Sequence, residues 1–293
     1  MSDELDSPRA LLNAYQNAGM VGWIDSPRDR GIFSESQPYP VYSEPNIAGS
    51  GAGKRVALWQ YLQALDKGAY TERQTEPDCT SHASRNARDT TRATEILVKG
   101  EAEDFYLRGA TEPTYGARVH SGGGMSPAKA AMWEKDTGFL VRQKYDAVDL
   151  SKYTGSIGAK WGRSGVPSDV QSLCNQHRVG TIRQIKTVRD AMDALANGYA
   201  LMHGQYAAWS ETPNAKNFYD RVSPGWSHAL CTVGFDDTKT FWPVTVFFIV
   251  NSWAAWNQPP KDWPKDLAAW VPGMIVASAD DWTVCVDSED CYA

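Results

Sequence analysis

The sequence predicts an α+β fold of two lobes, in which a helical lobe packs against a twisted antiparallel β-sheet or partial barrel. Residues 80–97 contain neither Gly nor Pro and include several Ala and Arg, a composition typical of a helix. Four apolar segments in the C-terminal half have the length and composition of strands, at residues 199–206, 228–235, 244–252 and about 282–286. The 293 residues are enough to bury a large core, in one domain or in two that pack tightly.

The composition excludes several classes of partner. Apolar residues make up 42% of the chain and charged residues 22%, which is ordinary for a globular protein. The formal net charge of −6 predicts no binding to nucleic acid or to an anionic membrane surface. No apolar run is long enough to cross a bilayer, and residues 1–20 lack the pattern of a signal peptide. We therefore expect no membrane insertion and a cytoplasmic or virion-associated protein.

The five cysteines, at positions 79, 174, 231, 285 and 291, are too few and too scattered for a disulfide framework. A reducing compartment is the simpler interpretation, and pairing of Cys285 with Cys291 stays open. No His, Cys and carboxylate residues are spaced as metal ligands, so we predict neither a metal nor another cofactor.

Residues 1–55 differ from the rest of the chain because they are rich in Pro, Ser and Gly. They predict an extended arm, with a short helix at residues 8–17 and a flexible linker at residues 48–55. The linker has the glycines of a phosphate-binding loop, but Arg55 stands where the magnesium-binding Ser or Thr belongs, and no apolar strand precedes it. Three roles stay open for the arm, namely an inhibitory segment, a segment that binds a protein partner, or a disordered one.

Further short helices are predicted at residues 56–65, 128–136 and 187–197. The last of these is closed by Gly198. Residues 145–180 show no clear periodicity. The first of the three helices places a set of apolar side chains on one face, namely Leu58, Tyr61, Leu62 and Leu65.

A reactive cysteine is predicted at the start of the helix over residues 80–97. Asp78 lies near the N-cap, so Cys79 sits where unpaired backbone N–H groups and the helix dipole favour a thiolate. Gln74 is close enough in sequence to place an amide N–H near an oxyanion that forms at this sulfur. A lone cysteine is more often a small buried apolar residue, so the prediction depends on finding partners for it.

Two downstream strands supply those partners. One contains His228 and the other ends at Asn251. A nucleophilic cysteine needs a base, and the base needs a group that fixes its ring. Cys79, His228 and Asn251 are these three residue types in this order, His228 standing 149 positions after Cys79 and Asn251 23 positions after His228.

At these residues the chain resembles the papain-like cysteine peptidases. The resemblance rests on a Gln before a helix-initiating Cys, a His-Ala strand that ends in Gly-Phe-Asp-Asp at residues 234–237, and an Asn-Ser-Trp strand. It covers residues 56–293 and is nearest in character to bacterial and phage members. It implies a helical lobe over residues 56–150, a β lobe over residues 151–293 and a cleft between them for an extended peptide.

The resemblance also implies the chemistry. Cys79 attacks a peptide or amide carbonyl and forms a thioester, with His228 as the base and Asn251 orienting it. The oxyanion is held by the Gln74 side chain and the Cys79 backbone N–H, and Trp253 covers the bond between His228 and Asn251. Gly123 and Gly124 pair with the substrate backbone. The subsite for the second side chain before the scissile bond is lined by four apolar residues, which predict a preference for a medium apolar side chain: Met125, Pro127, Met202 and Ala229.

Some residues depart from the family pattern and leave alternatives open. Thr80 replaces the aromatic residue that usually follows the nucleophile, Ala254 replaces a Gly, and Gln74 is one residue nearer the Cys than in papain. One alternative is an amidase that acts on cell-wall peptides. The other is a structural or assembly protein of the same fold, for example in a virion, that binds a partner through residues 1–55.

The helix that follows Cys79 raises two further expectations. His82 is one turn away and is interpreted as structural or cleft-lining, since residues on one helix cannot easily align for proton transfer. Arg85, Arg88 and Arg92 are expected to form a solvated or partner-facing strip.

Overall fold

The computed structural model describes residues 48–100, 106–185, 187–209, 222–238, 240, 245–253, 269–272 and 281–286 of the chain. Two predictions lie outside these residues. One is the short helix at residues 8–17. The other is the pairing of Cys285 with Cys291, because the structure describes only the backbone of Cys285 and does not describe Cys291.

The described strands form one antiparallel sheet of seven strands. The order across the sheet is β2-β7-β3-β4-β5-β6, and β1 pairs with part of the long strand β4. The strands are β1 Arg55–Ala57, β2 Thr181–Gln184, β3 Leu201–Trp209, β4 Val222–Asp236, β5 Val246–Val250, β6 Ala269–Pro272 and β7 Asp281–Val286.

The predicted antiparallel sheet is confirmed, because all four predicted strands are present as β3, β4, β5 and β7. Residues 55–57 were predicted as linker and helix start but form β1, since Leu58 is the first residue with helical geometry and the preceding segment pairs with β4. Leu58, Trp59 and Leu62 are buried, whereas Leu65 is 37% exposed, so the buried face of the first helix differs from the predicted one.

Seven α-helices lie within the described residues. They are α1 Trp59–Leu65, α2 Cys79–Thr94, α3 Glu112–Gly116, α4 Pro127–Asp136, α5 Gly155–Ser164, α6 Ser168–Cys174 and α7 Val188–Ala196. Helix α2 is the central one and continues into a π-helical turn, Glu95–Lys99, that ends at Gly100 with φ +72°. Helix α2 packs against β4 and β3 on one side and against α1 and α4 on others. No helix in the described ranges is long and apolar enough to span a bilayer.

Helices α5 and α6 fall in the segment for which no regular structure was predicted. Helix α5 contains three glycines, which lower its intrinsic helix propensity. Two of them are explained by close packing: a Cβ on Gly158 would press on Glu112 and Tyr115, and one on Gly162 would overlap Arg118. Tertiary contacts therefore favour this helix where its composition does not. The division into lobes at residue 150 stays a prediction.

The glycine-rich segment at residues 48–54 is docked on the body of the protein, where a flexible linker was expected. The Asp193 carboxylate accepts hydrogen bonds from the backbone N–H groups of Gly49 and Gly51, both at 2.8 Å, and Asp237 accepts one from Gly53 at 2.9 Å. These N–H groups hold carboxylates of the protein itself, which agrees with the prediction that the segment is not a phosphate-binding loop.

The expected solvated strip on α2 is wrong. Arg85, Arg88 and Arg92 are at most 2% exposed. The Arg88 guanidinium lies 3.0 Å from Glu134 and stacks on Phe139, and Arg85 lies 3.6 Å from Glu72. Charged side chains are rarely buried unpaired, and acidic partners from distant parts of the chain make the burial of Arg85 and Arg88 tolerable, while Arg92 lies over the Tyr106 ring.

Candidate active site

The nucleophile candidate lies at the first residue of α2. Asp78 is the N-cap residue, but its side chain does not cap the helix. Its carboxylate instead accepts a hydrogen bond from the Tyr153 hydroxyl at 2.8 Å. The Cys79 side chain is fully buried at the end of the helix where the dipole favours negative charge.

Gln74 connects the approach to Cys79 with the end of β5. Its backbone N–H donates to the Ser252 carbonyl at 3.0 Å, and the Ser252 hydroxyl donates to the Gln74 side-chain oxygen. The Gln74 amide nitrogen donates to the Glu76 carbonyl at 2.9 Å, which uses one of its two N–H bonds. The side-chain amide is thereby held in one orientation, with its nitrogen towards the segment that leads to Cys79.

The candidate base, His228, is hydrogen-bonded to Asn251 through one ring nitrogen, which leaves the other nitrogen in the form that can accept a proton. His228 Nε2 lies 2.8 Å from Asn251 Oδ1. An amide oxygen only accepts, so the proton is on Nε2, and in the neutral ring the lone pair is on Nδ1. The indole of Trp253 stacks on the imidazole with a centroid distance of 4.4 Å and an interplanar angle of 27°. Asn251 and Trp253 thus determine the tautomer and the plane of the ring.

Burial determines the charge of His228. The ring is fully buried, and this desolvation lowers its pKa to about 3, although the hydrogen bond to Asn251 opposes the shift and the nearby His82 adds to it. At neutral pH the ring is therefore neutral, which is the form that accepts a proton. His82 lies on α2, and α2 packs against β4, the strand that carries His228.

The three consecutive glycines at residues 122–124, called the glycine segment below, lie beside the residues that precede Cys79. The Gly124 N–H donates to the Pro77 carbonyl at 3.1 Å, and the Thr80 hydroxyl donates to the Met125 carbonyl at 2.8 Å. A Cβ on Gly123 would come within 2.7 Å of the Pro77 ring, so this close approach requires glycine. Gly123 is exposed, and Gly124 has φ +76°, the left-handed region that favours glycine.

Comparison with known proteins agrees with this arrangement at the level of the fold. No protein-family model matches the chain, and no curated protein matches it by sequence. Among solved structures, xylellain, a cysteine protease from Xylella fastidiosa, is similar with a TM-score of 0.58 at 16% identity, over 90% of this chain and 94% of that one. Procathepsin B S9 from Trypanosoma congolense is similar with a TM-score of 0.56 at 12% identity, over 98% of this chain and 100% of that one.

The chain has the papain-like fold. The α+β class and the family resemblance inferred from the sequence are confirmed at this level. Within the papain-like fold, Ser252 bonds to Gln74, its neighbour Asn251 bonds to His228, its neighbour Trp253 stacks on His228, and α2 packs on β4.

The four predicted subsite residues are all buried in the papain-like fold, but at different places. Strand register pairs Met202 with Cys231 and Gly204 with Ala229, so Met202 and Ala229 share one face of the sheet. His228 is on the other face, because neighbouring residues of a strand alternate. Met125 lies next to Thr80, and Pro127 is the first residue of α4. Their common subsite stays a prediction.

His82 lies between two acidic side chains. Its ring nitrogens are 3.5 Å from the Asp78 carboxylate and 3.9 Å from the Glu72 carboxylate, and its ring meets that of Tyr153 edge-on at 5.0 Å. These contacts agree with the structural role expected for it. No group of His, Cys, Asp or Glu in the part of the chain that the structure describes is arranged to hold a metal ion.

Sequence reasoning missed two residues that organise this site. Ser252 belongs to the Asn-Ser-Trp motif, and its place in that motif was the signal that it has a role. Tyr153 lies in the stretch without periodicity, and no sequence signal indicated that its hydroxyl reaches Asp78 and Thr75.

Proposed function

We propose that this protein is a cysteine peptidase that hydrolyses peptide bonds through a thioester at Cys79. The observation that carries the proposal is the buried His228–Asn251 pair, with Trp253 stacked on the imidazole. His228 lies on β4, the strand against which the Cys79 helix packs. The similarity in fold to xylellain supports it.

In the proposed reaction, His228 Nδ1 takes the thiol proton of Cys79 while the sulfur bonds to the substrate carbonyl carbon. The imidazolium then gives this proton to the amine nitrogen as the carbon–nitrogen bond breaks, which leaves a thioester. A water molecule attacks the thioester, with His228 accepting its proton. The carbon–sulfur bond breaks, and the thiol regains a proton from His228. Asn251 holds the ring in the required tautomer throughout.

The oxyanion of each tetrahedral intermediate is stabilised by two donors. One is the Gln74 side-chain amide, which Ser252 and Glu76 orient. The other is the Cys79 backbone N–H at the start of α2. Donors that are already oriented towards the oxyanion do not have to reorient when its negative charge develops. Such groups therefore contribute strongly to catalysis.

The proposed substrate is an extended peptide. Its backbone pairs with Gly123 and Gly124, and its second side chain before the scissile bond meets Met125, Pro127, Met202 and Ala229. None of these carries a charge, and a cationic side chain placed among them would lack a counter-ion. Two methionines adapt to several shapes, so Leu, Val and Phe should all be accepted.

The proposal is tested by treating the native protein with a peptidyl epoxide that alkylates thiols, followed by peptide mapping. We expect rapid labelling of Cys79 alone. Cys79, Cys174 and Cys231 are all buried, so the expected selectivity rests on activation of Cys79 by the start of α2 and by His228. Burial raises the pKa of the Cys174 thiol to about 12, and Cys231 lies on the face of β4 opposite His228, so both should react only after denaturation. Equal labelling of Cys174 or Cys231 contradicts the nucleophile assignment, and a lack of native labelling favours a structural or assembly protein.

Turnover of a peptide library supplies the second measurement. Cys79→Ser should abolish cleavage, Asn251→Ala should lower kcat less, and Gln74→Ala should lower it by about 10²-fold, the usual cost of one oxyanion donor. Cys231→Ser is the matched control and should leave cleavage unchanged. Wild-type activity in Gln74→Ala means that the oxyanion donor lies elsewhere.

A further inference from the structure

The segment at residues 75–78 joins the two proposed oxyanion donors. Gln74 precedes it and Cys79 follows it, so its shape determines how far the Gln74 amide lies from the Cys79 N–H. Thr75 is exposed, and the segment is neither helix nor strand. Something outside the segment must therefore hold its shape, because short irregular segments have little structure of their own.

The Tyr153 hydroxyl contacts both ends of this segment. It accepts a hydrogen bond from the Thr75 backbone N–H at 3.0 Å and donates one to the Asp78 carboxylate at 2.8 Å. The Thr75 hydroxyl lies 3.4 Å from the same oxygen. One phenolic oxygen thus bridges the first and last residues of the segment.

Neighbouring residues keep the phenol in place and protonated. Burial raises the pKa of Tyr153 well above its usual value, and the negative charge of Asp78 adds to the rise, so the hydroxyl remains a donor. Gly155 leaves the space it needs, because a Cβ there would come within 2.6 Å of the hydroxyl and 2.7 Å of the Thr75 side-chain oxygen.

We propose that Tyr153 is a positioning residue for the oxyanion hole, its hydroxyl bridging Thr75 and Asp78 so that Gln74 and the Cys79 N–H keep the spacing that the oxyanion requires. This inference rests on the proposed peptidase function. Tyr153 acts through the segment and has no part in the proton transfers.

The role predicts a specific kinetic change. Loss of the hydroxyl leaves the ring packed against His82 and loosens only the segment. Interactions that matter only once the oxyanion has formed affect kcat and not substrate binding. We therefore expect Tyr153→Phe to lower kcat about tenfold, the scale of one hydrogen bond to a charged group, with KM nearly unchanged. The rate at which iodoacetamide alkylates Cys79 should not change, because that reaction forms no oxyanion.

Tyr145→Phe is the matched control. Tyr145 is likewise half-buried, and its hydroxyl also accepts a backbone N–H bond, from Val141 at 3.1 Å, and donates to the Val141 carbonyl at 3.3 Å. Both variants lose one phenolic hydroxyl that bridges backbone or carboxylate groups, so a general effect on stability should lower both melting temperatures similarly.

The experiment compares wild type, Tyr153→Phe and Tyr145→Phe by kcat and KM on a peptide amide, by affinity for a peptide aldehyde and by iodoacetamide alkylation. A peptide aldehyde adds reversibly to the thiol and presents its oxygen to the oxyanion donors. The expected result is weaker aldehyde binding and lower kcat in Tyr153→Phe alone. An equal fall in kcat in both variants, or a parallel fall in the alkylation rate, overturns the inference.

Hydrogen exchange separates failure of this inference from failure of the proposed function. Amide exchange in a peptide that spans residues 74–79 reports on the segment without any turnover. Faster exchange in Tyr153→Phe than in Tyr145→Phe supports the bridge, and unchanged exchange overturns it. If wild type neither cleaves peptides nor binds the aldehyde, the proposed function is wrong, and the exchange data alone judge whether Tyr153 holds the segment.

Discussion

At the scale of single residues, the proposed base His228 shows how burial determines the protonation state of a side chain. The ring has a hydrogen bond to Asn251 and a stacked indole, but its full desolvation outweighs the hydrogen bond and lowers its pKa to about 3. The ring is thereby neutral at physiological pH. The same burial makes the folded state sensitive to acid.

Acid should destabilise the protein through His228. Its pKa is near 6.5 when unfolded and about 3 when folded, so between these values the unfolded state binds more protons, and the free energy of unfolding falls as pH falls. From pH 6.5 to 5.0 we expect this residue to account for a loss of roughly 1.5 kcal/mol.

Urea unfolding of wild type and His228→Gln at these two pH values measures that loss. Glu72 does not interfere. Burial opposes its ionisation, but Arg85 and Arg142 lower its pKa to about 2, so its contribution is lost only at lower pH. The same pH dependence in wild type and variant contradicts the prediction.

At the scale of elements, the glycine segment at residues 122–124 is held in place by a buried arginine. Arg118 donates to the carbonyl of Gly122 at 3.0 Å, and on α5 to those of Gly158 at 3.1 Å and Ala159 at 2.9 Å. Its guanidinium also stacks on Tyr115. One side chain therefore connects the segment proposed to bind substrate with two helices, and Gly162 has no Cβ because the guanidinium occupies that space.

Arg118→Lys should weaken substrate binding more than chemistry. The Lys ammonium cannot reproduce the planar guanidinium of Arg118, whose N–H groups reach the carbonyls of Gly122, Gly158 and Ala159. The glycine segment should therefore loosen while Cys79 and His228 stay in place. We expect KM for an extended peptide to rise about tenfold, with kcat nearly unchanged. Arg163→Lys, at an exposed position on α5, is the control and should leave both constants at wild-type values. A fall in kcat without a rise in KM argues against this role of Arg118.

At the scale of the whole molecule, the helical part of the interior is ionic as well as apolar. Every residue of α2 is buried, although its sequence is largely polar. Arg142 joins two separate elements by bonding Glu72 at 2.8 Å and Glu112 at 2.6 Å, and Glu112 also accepts the Thr154 N–H at 2.7 Å. Buried charges of this kind are tolerable only when each has its partner.

Arg142→Met should therefore strongly destabilise the protein, because the buried Glu112 carboxylate loses its ion pair with Arg142 and Glu72 keeps the longer contact with an arginine, Arg85 at 3.6 Å. We expect a loss of about 3–5 kcal/mol in the free energy of unfolding at pH 7, measured with urea. Arg108→Met is a matched control. Its pair with Asp66 is equally short, at 2.7 Å, but both side chains are 20–23% exposed, so about 1 kcal/mol or less should be lost. Similar losses in the two variants contradict this account.

The sequence by itself determined the features that depend on neighbouring residues. Apolar runs and turn residues located β3, β4, β5 and β7, and a helix N-terminus placed Cys79 at the start of α2. The residue types Cys, His and Asn, in order, suggested the chemistry, because each type can serve only a few roles in acyl transfer. The papain-like fold followed from this set and is shared with xylellain.

The tertiary structure decided everything that depends on partners distant in the chain. Periodicity cannot show that Arg88 meets Glu134, that Tyr153 bridges Thr75 and Asp78, or that residues 55–57 pair with β4. Whether a charged side chain lies in the core or in water depends on whether the core contains a side chain of opposite charge to pair with it. Local sequence does not contain that information. The residue types proposed for catalysis can therefore be recognised in the sequence, whereas the contacts that position them form only when the chain is folded.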